Sequence, residues 1–178
     1  MVIFEIKQLN PETYRQQTRR SSFVVIITFA VLAMGLASLA VALLAQPDHD
    51  SLRLNIAGVV AGLLLTVVLV RRVYWHKPWM ASARYGWQLK RSLMRITNVM
   101  HHVNAGVAQH DERSMKLLRF YHLGLTQMHE LDGNTGSLSE MMGEIDRHRD
   151  AMQALGLDTE QNQLESEWLE SVKRFAAK

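Results

Sequence analysis

Cysteine is absent from the 178-residue chain. That removes disulfides, thiolate metal sites and thiol nucleophiles together, and it carries no information about redox compartment. Charge is absent from two long stretches, Ser22–Ala45 and Leu54–Val70. A proton relay or ion path within one subunit therefore has no residues to run on there. The short motifs that announce chemistry are missing too. Neither Glu-x-x-His nor His-Glu-x-x-His occurs, so the di-metal bundle pattern and the zinc-protease helix pattern are both excluded. There is no Gly-x-Ser-x-Gly elbow. Gly133 and Gly136 lie in a turn without the following Lys-Ser/Thr of a phosphate loop.

What is present is dominated by the two uncharged runs. At 1.5 Å per helical residue the first spans roughly 36 Å and the second roughly 26 Å, against a hydrocarbon core of about 30 Å. Lipid offers the backbone no hydrogen-bond partners, so each run must satisfy its own amides as a helix. The expected element is a transmembrane helical hairpin over residues 22–75, with spans at about 22–45 and 54–73. The competing reading is a soluble protein with two unusually apolar core helices, which the uncharged length of the first run disfavours. Arg53 at one end of the second span and Arg71 and Arg72 at the other can snorkel, so a short core suffices. A cleaved signal peptide is the other alternative. The apolar run exceeds the usual 7–15 residues and a second span follows, so an uncleaved anchor is expected.

Mean hydropathy is close to zero, so two spans account for the apolar excess and the remainder reads as water-facing. The net charge of +3 conceals an asymmetry. Lys7, Arg15, Arg19 and Arg20 precede the hairpin. Residues 71–95 carry Arg71, Arg72, Lys77, Arg84, Lys90, Arg91 and Arg95 with no acid, whereas the loop 46–53 carries Asp48 and Asp50 against Arg53. From residue 96 onward 13 acidic residues outnumber 8 basic ones. Both flanks of the hairpin are basic and its loop is not, so the positive-inside rule places both termini in the cytoplasm.

Within the spans, Gly58 and Gly62 form a small-xxx-small pair, as do Ala33 with Ala37 and Ser38 with Ala42. Such faces let helices approach closely. They serve either to pair the two spans or to build an oligomer. At the inner interface Tyr74, Trp75, Trp79, Tyr85 and Trp87 interleave with Arg71, Arg72, Lys77 and Arg84. Amphipathic rings and snorkelling cations suit headgroup depth. Beside a span the expected partner is anionic lipid, at about 1 kcal/mol per basic residue, rather than nucleic acid. Pro78 predicts a kink, because it disfavours helix at Lys77 and suits a first helical turn.

Residues 1–9 are too short to assign, either a brief strand or an interfacial piece. Asn10-Pro11 reads as an N-cap followed by the first helical residue. After Trp79 a long helix is expected. Tyr85, Leu89, Leu93, Ile96, Met100, Val103 and Val107 step by three and four, a coiled-coil-like seam that is either bundle core or an oligomer interface. A second helix opens near Asp111 with Leu118, Tyr121, Leu125 and Met128 as its stripe. Asp132–Gly136 is a turn, and Ser137 with Glu140 reads as a capping box. A third helix burying Leu138, Met142, Ile145, Met152 and Leu155 follows, ended by Gly156. A fourth is expected from Asp158 and Gln161 through Leu164, Trp168, Val172 and Phe175. Short links between these helices predict an antiparallel bundle over 76–178.

Six histidines fall in these helices: His101, His102, His110, His122, His129 and His148. His122 and His129 are seven apart, and His148 follows Glu144 by four and Glu140 by eight. Convergence on a metal is conceivable at such spacings. Without a metal motif, exposed histidines are the favoured reading. Glu165, Glu167 and Glu170 read as a solvated face. No cofactor is called for.

Four stretches, FEIKQLNPETYRQQ, RLNIAGVVAGLLLTVVL, WQLKRSLMRI and LLRFYHLGLTQMHELDGNTGSL, together resemble a family of small two-span bacterial inner-membrane proteins catalogued as a domain of unknown function. The resemblance covers nearly the whole chain and departs most beyond Leu155. It implies a bacterial inner membrane and brings no activity and no site residues. The combined expectation is an all-α membrane protein: a cytoplasmic segment at 1–21, the hairpin, and a cytoplasmic antiparallel helical bundle. Its expected role is non-enzymatic, a scaffold or interaction module that offers the bundle to a protein partner or to a second copy. The alternatives are an oligomeric channel or transporter accessory subunit and, third, an enzyme or metal-binding bundle using the histidines.

Overall fold

A computed structural model describes residues 1–44, 51–134 and 136–175, with the backbone alone for Ser137 and Leu138. The expected loop residues Asp48 and Asp50, the side chain of the Ser137 capping box and that of Leu138 lie outside the described set. The chain forms β1 (Val2–Glu5), α1 (Pro11–Leu44), α2 (Leu52–Arg72), two 3-10 turns at Tyr74–His76 and Pro78–Met80, and α3 (Ala81–Thr97). There follow α4 (Met100–Ala108), α5 (Glu112–Asp132), α6 (Gly136–Ala154), β2 (Gln163–Glu165), α7 (Ser166–Ser171) and a last 3-10 turn, Val172–Arg174. These divide into two compact units, residues 16–84 and residues 1–15 with 85–178. The sequence division had set residues 1–21 apart.

The first unit is a helical hairpin. α1 starts as the sequence indicates: the Asn10 side chain accepts from the Glu12 and Thr13 amides, at 2.9 and 3.1 Å, with Pro11 as first helical residue. It then runs 34 residues, about 51 Å at the helical rise. α1 and α2 meet along their small residues. A Cβ added at Gly58 would stand 2.5 Å from the Ala37 nitrogen, and one added at Gly62 would stand 2.6 Å from the Ala33 Cα. The two backbones are therefore in contact, and Gly58, Gly62, Thr66, Ala33 and Ala37 are buried. The Thr66 hydroxyl, also in this seam, donates to Gly62 O at 2.7 Å. Both helices are long and apolar enough to cross a membrane, and only 11% and 17% of their most apolar windows is buried.

The base of the hairpin is tied by polar contacts. Pro78 produces the expected kink, with Lys77 extended between the two 3-10 turns. The Ser21 hydroxyl donates to Trp79 O at 2.7 Å, Arg84 donates to Trp75 O at 2.6 Å, and Tyr74 meets Thr28 at 3.1 Å. Tyr74 and Trp79 pack edge to face with ring centres 5.1 Å apart. The Ser21 and Arg84 bonds satisfy carbonyls that the broken helix leaves open.

The second unit is a helical bundle with a two-stranded sheet, so the fold is not purely helical. β1 pairs antiparallel with β2, with Phe4 opposite Leu164 and an irregularity between Val2 and Phe4. Tyr85 anchors the segment that follows β1: its hydroxyl donates to Gln127 at 2.5 Å and accepts from the Lys7 amide at 3.0 Å. Burial pushes that hydroxyl's pKa up, against the lowering effect of these bonds. Leu89, Ile96, Val103, Leu117, Phe120, Leu131, Leu164 and Val172 are the most enclosed side chains of the core.

Three expectations are corrected here. The expected single helix from Trp79 to Val107 breaks at Asn98–Val99. Thr97, Asn98 and Val99 are three weak helix formers in succession, two of them β-branched, so the 3-and-4 spacing continues across two helices rather than along one coiled coil. The fourth helix is replaced by β2 and the six-residue α7. Asp158 accepts from the Glu160 amide at 2.9 Å and Gln161 donates to Asp158 O at 2.7 Å, local bonds that compete with a helix start. Met142 and Leu155, expected in the core of α6, are exposed, while Ile145 and Met152 are buried.

Candidate functional site

The groups with the most perturbed surroundings lie where α5 meets α4 and α6. Asp111 caps α5, accepting from the Ser114 amide at 3.0 Å and its hydroxyl at 2.8 Å. Its other oxygen accepts from Arg174 at 2.5 Å. Partial burial acts to raise this carboxyl, but the Ser114 and Arg174 bonds outweigh it and hold the pKa below the usual range. At the other end Gly133 takes a left-handed φ of 73°, and the Asn134 amide closes on His129 O at 2.9 Å. With both ends set, α5 holds one face against α6.

On that face His122 and His148 meet edge to face, ring centres 5.3 Å apart and planes at 80°. His148 Nε2 lies 3.0 Å from Met115 O. A carbonyl only accepts, so Nε2 carries the proton and Nδ1 of the neutral ring is bare. His122 is 4% exposed and its Nδ1 is buried with no hydrogen-bond partner. Burial, then the neighbouring His148 and Arg119, pull the His122 pKa down to about 4. His148 is lowered too, chiefly by burial, with the Met115 bond acting against it. Arg119 is itself buried and spends its Nε on Thr159 O at 2.9 Å.

His122 also lines a pocket of about 220 Å³. Its walls are Met100, Leu118, Leu125, Met141 and Ile145, with Tyr121, Asn104 and Glu144 as the other polar members. Five apolar and four polar residues line it, and the one strongly perturbed group among them, His122, marks it as the candidate small-molecule site of the bundle.

The sequence-predicted residues fall in several places. Of the seam, Leu89, Leu93, Ile96 and Val103 are buried in the bundle core, with Met100 and Val107 partly buried against it. Met100 alone of these also lines the pocket. Of the α5 stripe only Leu118 is fully buried; Tyr121, Leu125 and Met128 are half-buried flanks. Gly58 and Gly62 form the contact between α1 and α2. Arg71, Arg72 and Lys77 are exposed, while Tyr74, Trp75, Trp79 and Arg84 are tied into the base of the hairpin. His122 pairs with His148 and not with His129. His102 lies 2.5 Å from Phe175 O and stacks on His101. Among the described residues no three His, Asp or Glu side chains stand in position to share a metal ion. Arg119 had escaped notice. Its signal was present as a cation within LLRFYHLGL, an otherwise apolar run whose polar members had to be either exposed or partnered.

These features define a class: a small helical protein that joins an apolar two-helix hairpin to a helical bundle. Residues 4–169 match the family described as "Protein of unknown function (DUF3087)", and the chain belongs to that family. No curated protein and no solved structure matches it.

Proposed function

We propose that the protein is a non-enzymatic scaffold of the bacterial inner membrane. The hairpin spans the bilayer, both termini face the cytoplasm, and the bundle is offered to a protein partner or a second copy. The observation that carries this reading is that the hairpin is packed inside out. Its buried seam consists of Gly58, Gly62, Thr66, Ala33 and Ala37, while Phe23, Ile26, Val31, Met34, Leu64 and Val68 are more than half exposed. In water that distribution would leave the large apolar side chains unpaid for, each worth about 1.5–3 kcal/mol when buried. In lipid it is the expected one, because small residues drive helix contact and large ones face the acyl chains. The basic flanks at Arg15, Arg19 and Arg20 and at Arg71, Arg72, Lys77 and Arg84 support the orientation.

The test is fractionation and topology together. The full chain is expected to stay with membranes through alkaline carbonate washing and to leave only with detergent. Reporters fused at Met1 and at Lys178 are expected to read cytoplasmic. Release by carbonate, or a periplasmic reporter at either end, would overturn the reading. Crosslinking in native membranes is expected to trap the bundle with a second polypeptide.

A further inference from the structure

The pocket between α4, α5 and α6 remains unused by a purely structural bundle, and its chemistry is specific. Five of its nine lining residues are aliphatic or thioether side chains, which select an apolar body of the size of a single ring with a short tail. Its one ionised lining group is Glu144; no Lys or Arg lines it. An anionic ligand would therefore meet a carboxylate at the wall with the Arg119 cation set back behind His122, whereas an ammonium would gain a charged partner in direct reach. Tyr121 adds an aromatic ring and Asn104 a side-chain carbonyl, both of which favour a cation with N–H groups to donate. His122 supplies the remaining observation. Its buried Nδ1 has no partner, and buried polar atoms without one are rare in folded proteins. That nitrogen is itself closed to solvent, so His122 meets a ligand through the face of its ring and reports occupancy without a direct hydrogen bond.

The geometry points to this pocket as a binding site for a small hydrophobic amine, with Glu144 as counter-ion, Asn104 as hydrogen-bond partner and the His122 ring as part of the wall. This goes beyond the scaffold reading and does not depend on membrane insertion. It makes the bundle responsive to a ligand, because Met100 on α4, Leu125 on α5 and Ile145 on α6 would all touch one molecule.

Three probes with one body and different heads separate the contributions: phenethylamine, 2-phenylethanol and phenylacetate. Each is titrated into the full chain in zwitterionic nanodiscs while the ¹³C-labelled imidazole signals of His122 and His148 are followed. The amine is expected to shift the His122 signal saturably and to bind about fivefold better than the alcohol, the size of an exposed ion pair. Phenylacetate is expected to bind weakest. Glu144→Gln should erase the preference for amine over alcohol while leaving the helical spectrum unchanged. Leu125→Trp should fill the pocket and abolish the His122 shift. The wild-type ranking stands alone should that variant fail to fold. No saturable His122 shift with any probe would overturn the site and leave the pocket to water. Binding of phenylacetate as tight as that of the amine would overturn the ligand class.

Discussion

At the scale of single residues, His122 is the group whose environment most opposes its charged form. Its pKa of about 4 in the fold, against 6.5 ordinarily, means that the folded state binds fewer protons than the unfolded chain between those values. Stability contributed by the neutral ring is therefore whole above pH 6.5 and is lost as pH falls toward 4. The difference amounts to about 3 kcal/mol. His148 faces His122 across the contact, Arg119 lies three residues before it on α5, and Glu144 lines the same pocket, so the drop is shared. Denaturant midpoints at pH 7 and pH 4.5 are expected to diverge strongly for the wild type and much less for His122→Phe. A variant that falls as steeply as the wild type would assign the drop to other groups. Gly62 makes a second residue-scale case. Its missing Cβ would stand 2.6 Å from the Ala33 Cα, whereas nothing lies within 4 Å of a Cβ at Gly35. Gly62→Leu is expected to destabilise the hairpin by about 1–3 kcal/mol through overpacking, and Gly35→Leu to leave it unchanged. Thermal unfolding in detergent, followed through the helical signal, distinguishes them.

At the scale of elements, the α3–α4 seam and the β1–β2 pair hold the bundle together by different means. Leu93 is 5% exposed and Met100 is packed against the core. Two aspartates there would be buried without partners, at several kcal/mol. Leu93→Asp with Met100→Asp is expected to unfold the bundle and abolish its cooperative transition. A retained transition with altered particle size would instead mark the seam as a surface between copies. Phe4 tests the sheet. It is buried, lies 5.4 Å from the Tyr85 ring and faces Leu164 across the strand pair. Phe4→Ala is expected to cost about 3–5 kcal/mol, read as a lower midpoint of chemical unfolding. Both elements show what periodicity carries and what it misses. Leu164, Trp168 and Val172 step by four and are all buried, so the sequence identified the right side chains. They are delivered by a strand, a short helix and a 3-10 turn, because the partner of β2 is the first five residues of the chain. A pairing across some 160 positions leaves no local trace. The His122–His148 contact was illegible for the same reason: each histidine sits on its own helix, and only the packing of α5 on α6 brings them together. The caps at Asn10 and Gly156, and the kink at Pro78, were legible because their causes lie within a few residues.

At the scale of the whole molecule, the distribution of side-chain size separates a lipid-facing hairpin from a soluble one. In water, polar residues placed on the outer faces of α1 and α2 relieve exposed apolar surface and raise solubility. In a bilayer the same change places charge in hydrocarbon, at about 3 kcal/mol for each lysine near the helix centre on insertion scales. Val60 and Leu64 lie mid-way along α2 and are 49% and 62% exposed. They sit on either side of the buried Gly62 and so leave the Gly58–Gly62 contact untouched. Val60→Lys with Leu64→Lys is therefore expected to reduce the membrane-retained fraction sharply, with the protein degraded or aggregated rather than made soluble. The matched substitution Met94→Lys, at an exposed position on α3, should leave retention unchanged. A double lysine variant recovered as a folded, carbonate-soluble protein would show that the outer faces meet water, and the anchor would then have to be sought in the association of hairpins with one another.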